Sequence, residues 1–237
     1  MPATSASPVN SSAKSTTQVD QVVARLTDDI IACRLLPDAK LHIASLAEHL
    51  GGSLGAVREA LAALAAEGLV VAQPQKGYRV SPISGKSLLH LVQARVDIEC
   101  LCLAEAIKHG DLQWERRCLA ALDALKQLRP KKSGMDEAAK EARIHAHDDF
   151  RYALVSGCPN EWLLRIQHNL YQQSERYRRL TNVIKTPKPR DIDSEHQELV
   201  DIVLARDVDG ACALLTKHLM QTAKAALDSP LLDRSEE

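Results

Sequence analysis

Aromatic side chains are scarce in this 237-residue sequence, which contains one phenylalanine, two tryptophans and four tyrosines. Any hydrophobic core must therefore be built from leucine, valine, isoleucine and alanine, a composition that favours helices. Apolar residues make up 45% of the chain, an ordinary proportion for a folded globular protein that excludes a disordered or fibrous one. No apolar run approaches the length of a membrane span.

An excess of charge of either sign is also absent. The formal net charge is −1, and residues 1–82 contain seven Lys and Arg against seven Asp and Glu. The overall charge therefore gives no electrostatic evidence for binding to nucleic acid, and any affinity for phosphate must come from local clusters of basic residues.

The cysteines have neither zinc-finger nor disulfide-framework spacing, which predicts small core residues in a reducing cytosol (Cys33, Cys100, Cys102, Cys118, Cys158 and Cys212). Residues 1–15 are rich in serine, threonine, alanine and proline and lack the apolar run of a signal peptide. They are predicted to form a disordered leader. We therefore expect a cytoplasmic protein that makes no membrane contact.

Residues 16–82 have the pattern of three helices followed by a β-hairpin. The first helix is predicted from Thr16 to about Leu36, where Pro37 cannot continue it. The second covers residues 44–50 and ends at two glycines, and the third begins at Ser53, a good N-cap residue. Two short apolar runs then flank the turn-forming segment 73–77, which indicates a hairpin. This order predicts a winged helix-turn-helix domain.

Residues 83–230 show only helical periods and are predicted to form a domain for effector binding and dimerisation, followed by a tail at 231–237. Six amphipathic helices with short connections indicate an antiparallel bundle. Their predicted spans are 86–109, 112–128, 135–156, 160–180, 194–205 and 208–227. The fold class predicted for the whole chain is mainly α, with an N-terminal winged helix-turn-helix and a C-terminal antiparallel six-helix bundle.

Several short motifs occur in an order that spans residues 16–227. In the first domain they are SLAEHL at 45–50, VREAL at 57–61 and AEGLV at 66–70. In the second they are RVDIE at 95–99, Phe150 with Ala153, Leu154 and Asn160, EHQ at 195–197, and the segment from Asp207 to His218 and Leu219. This ordered set resembles the GntR family of bacterial regulators, in its FadR-like subgroup with an all-helical FCD effector domain. The resemblance implies a DNA-binding transcription regulator.

The chain departs from the pattern of this family at two places. The family usually opens its recognition helix with Ser-Arg-Thr-Pro, whereas residues 53–56 read SLGA, so that Leu54 replaces an arginine that touches DNA. The family also carries an aspartate and a histidine four residues apart around the phenylalanine, as metal ligands. His147 and Arg151 stand at those positions here.

The predicted DNA-binding residues lie on the third helix and in the hairpin. Arg58 is the one long hydrogen-bond donor near the start of that helix, where a side chain can reach guanine in the major groove. The resemblance implies that Arg58 reads bases and that the wing tip, with Lys76, Gly77 and Arg79, reaches the minor groove. Ser53 can donate to a phosphate at the helix end. The alternative is that Arg58 pairs with Glu59 or Glu48, and that the wing charges are simply solvated.

Four helices of the second domain each place an ionisable group on an apolar stripe, which is costly unless those groups meet. The stripes carry Arg95 with Glu99, His147 with Arg151, His196, and His218. Together they predict a polar cavity, although each histidine alone would more simply be a core residue. The resemblance implies that His196 and His218 are metal ligands and that Arg95 faces the effector.

A divalent metal such as zinc accepts three histidines, so His147, His196 and His218 form a candidate metal site. The fixed positive charge of Arg151 would repel a cation there and argues against tight binding. Glu99 is the single acid expected in the interior, where it would pair with Arg95 and leave Arg151 with no acidic partner on its own stripe. A small organic acid is therefore the expected effector, held by Arg95, Arg151 and the histidines. The alternative is that an acid of another stripe pairs with Arg151 and leaves no site (Asp148, Glu175 or Glu195).

Two functions from different classes follow. The first is an effector-controlled regulator, a repressor of a metabolic operon, that binds a palindromic double-stranded operator as a homodimer. The second is a metal-dependent enzyme that uses the histidine-rich site of the bundle. Against the enzyme, the sequence shows no carboxylate general base paired with the histidines.

Overall fold

The computed structural model describes residues 17–129, 135–181, 190–228 and residue 232. The predicted leader at 1–15 lies outside these residues, as do all residues of the predicted tail except Leu232. The elements in chain order are α1 (Gln18–Ile31), β1 (Lys40–Leu41), α2 (Ile43–Leu50), α3 (Leu54–Ala66), β2 (Val70–Gln73), β3 (Gly77–Val80), α4 (Gly85–His109), α5 (Leu112–Gln127), α6 (Glu137–Val155), α7 (Glu161–Thr181), α8 (Ile192–Leu204) and α9 (Val208–Leu227). The chain is mainly α-helical, as predicted.

Helices α1 and α3 begin where the sequence offers a cap, whereas α2 begins after His42 without one. The Thr17 hydroxyl accepts a hydrogen bond from the Asp20 amide, and the Asp20 carboxylate accepts one from Thr17 in return. The Ser53 hydroxyl accepts from the Ala56 amide in the same way at the start of α3. The predicted end of α1 near Leu36 is wrong, because the helix ends at Ile31 and Cys33 takes a left-handed conformation with φ of 56°.

The sheet has three strands in the order β1-β3-β2, and all pairs are antiparallel. The predicted hairpin is present, with Val71 opposite Arg79 and Gln73 opposite Gly77. The third strand, β1, was not predicted, since two residues are too few to show alternation. Lys40 of β1 lies opposite Arg79, and Leu41 lies opposite Tyr78.

The described residues form three hydrophobic clusters, of which the two larger lie in the two halves of the chain and the third packs α4, α7 and α9 together around Val92 and Tyr177. The first joins α1, α2, α3 and the sheet around fully buried residues such as Leu26, Val57 and Leu61. The second joins α4 to α6, α8 and α9 around Trp114 and Phe150. The indole Nε1 of Trp114 donates to the carbonyl oxygen of Ala153 at 2.9 Å, so this large side chain leaves no unpaired donor. No helix within the described ranges is long and apolar enough to cross a membrane.

Helix α7 contacts both halves of the chain. Its Asn169 and Gln173 side-chain amides both donate to the carbonyl oxygen of Glu67, at the end of α3, at 3.1 and 2.9 Å. Its buried Arg176 donates to the carbonyl oxygen of Ser81, in the segment that connects β3 to α4. The opposite face of α7 packs on α4 and α9.

Candidate functional site

The DNA-facing candidate residues lie at the start of α3. Arg58 is exposed, and in the described part of the chain it forms no ion pair with Glu59 or Glu48. The alternative of a paired surface arginine is therefore not seen. Leu54 is 55% exposed on the same first turn, where the family has an arginine. Ser53 keeps its hydroxyl hydrogen for another acceptor, because its oxygen already accepts from Ala56.

Of the three residues predicted at the tip of the wing, two lie there and one does not. Lys76 is exposed in the turn between β2 and β3, and Gly77 has φ of 86°, a conformation that favours glycine. Arg79 was expected at the wing tip, but it lies within β3. Its Nη1 donates to both the carbonyl oxygen and the carboxylate of Asp38 at 2.9 Å. Its guanidinium is thereby held against the body of the domain.

The polar interior of the bundle centres on Glu99, which is 1% exposed. One of its oxygens accepts from Arg95, with the Glu99 Oε1 to Arg95 Nη2 distance at 2.6 Å, and the other accepts from Arg151. Arg151 therefore finds its acidic partner on another helix, α4, and that partner is none of the three acids considered. Burial lowers the pKa of Arg151 to about 9, so its guanidinium is still charged at neutral pH.

Helix α7 contributes a polar stripe to the same interior, at positions i, i+3, i+4 and i+7 (Tyr171, Ser174, Glu175 and Arg178). The Ser174 hydroxyl accepts from Arg95 Nη1 at 2.7 Å. The Tyr171 ring lies 5.4 Å from the Arg95 guanidinium carbon and 5.6 Å from that of Arg151. The Tyr171 hydroxyl donates to Asp148. Sequence reasoning missed this stripe, although its helical spacing was visible.

The interior therefore holds more acid than expected. Glu175 is buried and ion-paired with Arg178, and Asp148 is half-buried beneath Tyr171. Burial raises the pKa of Asp148, against the opposing effect of the hydrogen bond from Tyr171. Among the described residues Glu99 is thus joined by Glu175 and Asp148, and the excess of positive charge in the interior is smaller than the sequence predicted.

The three predicted histidines meet in the bundle. The ring centroid of His196 lies 5.4 Å from that of His147 and 5.1 Å from that of His218. One ligand atom of each lies within 4.8 Å of the others. Burial lowers the pKa of His196 and of His218 to about 3, so both rings are neutral at physiological pH. A neutral ring is the form that coordinates a metal.

The residues present fit a divalent metal. His196 is buried, and neither of its ring nitrogens has a hydrogen-bond partner among the described residues. Glu195 lies 2.9 Å from Nδ1 of His218, which leaves Nε2 as the nitrogen for a ligand. Arg190 ion-pairs with Glu195 and orients it. A carboxylate is thus paired with a histidine, contrary to the sequence-based expectation, but it is already neutralised by an arginine.

Comparison with known proteins identifies the family of both halves of the chain. The model of bacterial regulatory proteins of the gntR family matches residues 18–80, and that of the FCD domain matches residues 90–221. The HTH-type transcriptional repressor GlaR of Escherichia coli (strain K12) is 34% identical over 82% of this chain and 89% of its own. BphR of Paraburkholderia xenovorans (strain LB400), an uncharacterized HTH-type transcriptional regulator, is 35% identical over 85% of this chain and 82% of its own.

Solved structures show the same fold. Escherichia coli McbR/YncC superposes with a TM-score of 0.74 at 20% identity and covers 90% of this chain and 98% of its own. A GntR transcriptional regulator from Rhodococcus sp. RHA1 gives a TM-score of 0.69 at 21% identity, with the same coverage. These relatives do not favour the metal-dependent enzyme. The chain belongs to the GntR family of bacterial regulatory proteins, with an FCD domain as its helical half, and it is a transcription regulator.

Proposed function

We propose that this regulator represses a metabolic operon by binding a palindromic DNA operator as a homodimer, and that a small organic acid in the helical domain releases it. Two observations together carry the proposal. Arg58 is exposed on α3 and pairs with no described acid, and buried His196 has two ring nitrogens without a partner among the described residues. The name of GlaR, a repressor, supports the sign of the regulation.

On the DNA side, Arg58 is the base-reading residue, since a guanidinium makes paired hydrogen bonds to guanine. Ser53 and Lys76 bind phosphate, and Gly77 allows the wing backbone to approach the groove. Arg79 supports the wing through Asp38, and its remaining donors can reach a phosphate beside the strand. Because Leu54 replaces one arginine contact, the operator differs from the usual one of the family.

On the effector side, Arg95 and Arg151 share the single carboxylate of Glu99, and the Nε–H of Arg151 has no acceptor among the described residues. A carboxylate offers that acceptor and matches a guanidinium well. His147, His196 and His218 complete the site. If zinc is held by these three rings, it supplies a Lewis acid that attracts an effector carboxylate. Glu99 offsets part of the positive charge that opposes a cation there, because its one carboxylate is shared by Arg95 and Arg151.

The experiment uses fluorescence anisotropy with a labelled fragment of the upstream promoter and a panel of mono-, di- and tricarboxylates. We expect specific retention of the fragment, release by at least one carboxylate, and no turnover of that carboxylate. Arg151→Ala, with folding checked by circular dichroism, should bind the fragment but lose the response to the carboxylate. A protein that retains no promoter fragment, or that consumes the carboxylate, would contradict the proposal.

A further inference from the structure

A cavity of about 400 Å³ lies between the two halves of the chain. One wall is α1, and the other is formed by α6 and α7, with Arg151 and Tyr171 on its lining. His147, His196, His218 and Arg95 do not line it, so it is separate from the histidine cluster. Its volume falls in the range of small-molecule sites, roughly 300–1,000 Å³.

Two buried donors in this lining lack acceptors. Arg151 is 6% exposed, and its Nε finds no acceptor in the described segments of the chain. The Nε of Arg179 is buried and unpaired in the same way, although its Nη1 lies 3.5 Å from Glu141. Unpaired buried donors cost free energy, and two guanidinium donors in one cavity favour an anionic ligand.

Five acids also line the cavity, of which Glu141, Asp148 and Glu175 have partners among the described residues. The other two lie on opposite walls. Asp28 of α1 and Asp149 of α6 are both exposed, and their carboxylates make no hydrogen bond or ion pair with any described residue. Like charges on facing walls repel each other, so a cation between them would draw the two walls together. The lining therefore offers donors for an anion and acceptors for a cation in one space.

We propose that this interdomain cavity binds a small amino carboxylate, with its carboxylate on Arg151 and Arg179 and its ammonium between Asp28 and Asp149. The site goes beyond the proposed effector site at the histidines. Both sites draw on the one free Nε–H of Arg151, so the two ligands exclude each other. Because α1 packs on α3, a ligand that ties Asp28 to Asp149 fixes the position of the recognition helix relative to the bundle. The cavity thereby links the ligand directly to the DNA-binding half.

The test is isothermal titration calorimetry on the full chain. The probes are the α-amino acids and the straight-chain ω-amino carboxylates of three to six carbons, with carboxylates and amines of matched length as controls. We expect at least one amino carboxylate to bind, and its Kd to rise at least tenfold in Asp28→Asn and in Arg179→Gln. Asp123→Asn, the same change at an exposed aspartate of α5, should leave the Kd unchanged.

His196→Ala separates this site from the histidine cluster, since binding in the cavity should survive that change. The proposal is overturned if no amino carboxylate binds, if simple carboxylates bind equally well, or if Asp28→Asn and Arg179→Gln leave the Kd unchanged. Loss of binding in His196→Ala with retention in Asp28→Asn would place the ligand at the histidines instead. Operator binding is measured separately. If no ligand binds in the cavity, the proposed repressor function is therefore not contradicted.

Discussion

At the scale of single residues, Glu99 is the side chain on which the interior of the bundle depends most. It is almost fully buried and accepts from two guanidiniums, Arg95 on its own helix and Arg151 on α6. The inward direction of these groups could be predicted from i, i+4 spacing. The pairing of Glu99 with Arg151 could not, because it joins residues 52 apart in sequence on different helices.

Glu99→Gln should destabilise the protein by about 3–5 kcal/mol, since removing one partner of a buried ion pair leaves the other charge uncompensated. Two arginines lose their shared carboxylate in this case. Urea unfolding followed by circular dichroism measures the change. Glu137→Gln, at an exposed residue that pairs with Lys140, should change stability by less than about 0.5 kcal/mol. Equal stability of the two variants would contradict this account of Glu99.

Arg58→Ala should cost about 1–3 kcal/mol in binding to the specific operator and relax the preference at one base position. Lys76→Ala should weaken binding to all sequences alike and reduce the salt dependence, because it removes a phosphate contact. Anisotropy with operator and scrambled duplexes at several salt concentrations separates the two effects. If both variants bind the operator like the parent, Arg58 and Lys76 do not form the DNA-binding surface.

Zinc should raise the melting temperature of protein that has been dialysed against a chelator, because a ligand that binds only the folded state stabilises it by about 2.7 kcal/mol at 100 times its Kd. His196→Ala should abolish this shift. His145→Ala is the matched control, since His145 lies on α6 beside the cluster but is exposed. A shift that survives in His196→Ala, or that is lost in His145→Ala, would argue against the three-histidine site.

At the scale of elements, helix ends follow the capping residues closely, and the predicted bounds of α5 and α9 differ from the observed ones by at most one residue. The exceptions have local physical causes. Helix α1 stops early at the left-handed Cys33, and β1 forms by pairing with β3, a partner 37 or more residues away in sequence. Neither feature leaves a periodic pattern.

Helix α7 is the element that holds the two halves together, through Asn169 and Gln173 at the end of α3. The double variant Asn169→Ala, Gln173→Ala should increase amide hydrogen exchange at the end of α3 and in residues 81–84, because the Glu67 carbonyl loses both donors. The core of the bundle should exchange as before. Gln113→Ala, at an exposed position of α5, is the control. Unchanged exchange at the end of α3 would show that these contacts do not restrain it.

At the scale of the whole molecule, each half has its own hydrophobic core, and the DNA-reading half is the smaller. Large exposed apolar side chains are concentrated on the helical half, where Leu101 is 52% exposed, Leu112 72% and Trp162 71%. Large exposed apolar side chains indicate an interaction surface where they form a contiguous patch. The sequence predicted the two halves from their periodicity, but the distribution of exposed apolar side chains required the packed structure.

We therefore expect a dimer in which the helical half supplies the main interface, because a palindrome with two half-sites needs two reading heads related by a two-fold axis. In sedimentation velocity the full chain should run as a dimer. Residues 84–237 expressed alone should also be dimeric, whereas residues 17–82, with their small core and few exposed apolar side chains, should be monomeric. Trp162→Glu in the full chain tests whether α7 contributes to the interface. Leu54→Glu, at another exposed apolar position, on α3, is its control. A monomeric helical half beside a dimeric full chain would mean that the reading heads, and not the bundle, hold the two subunits together.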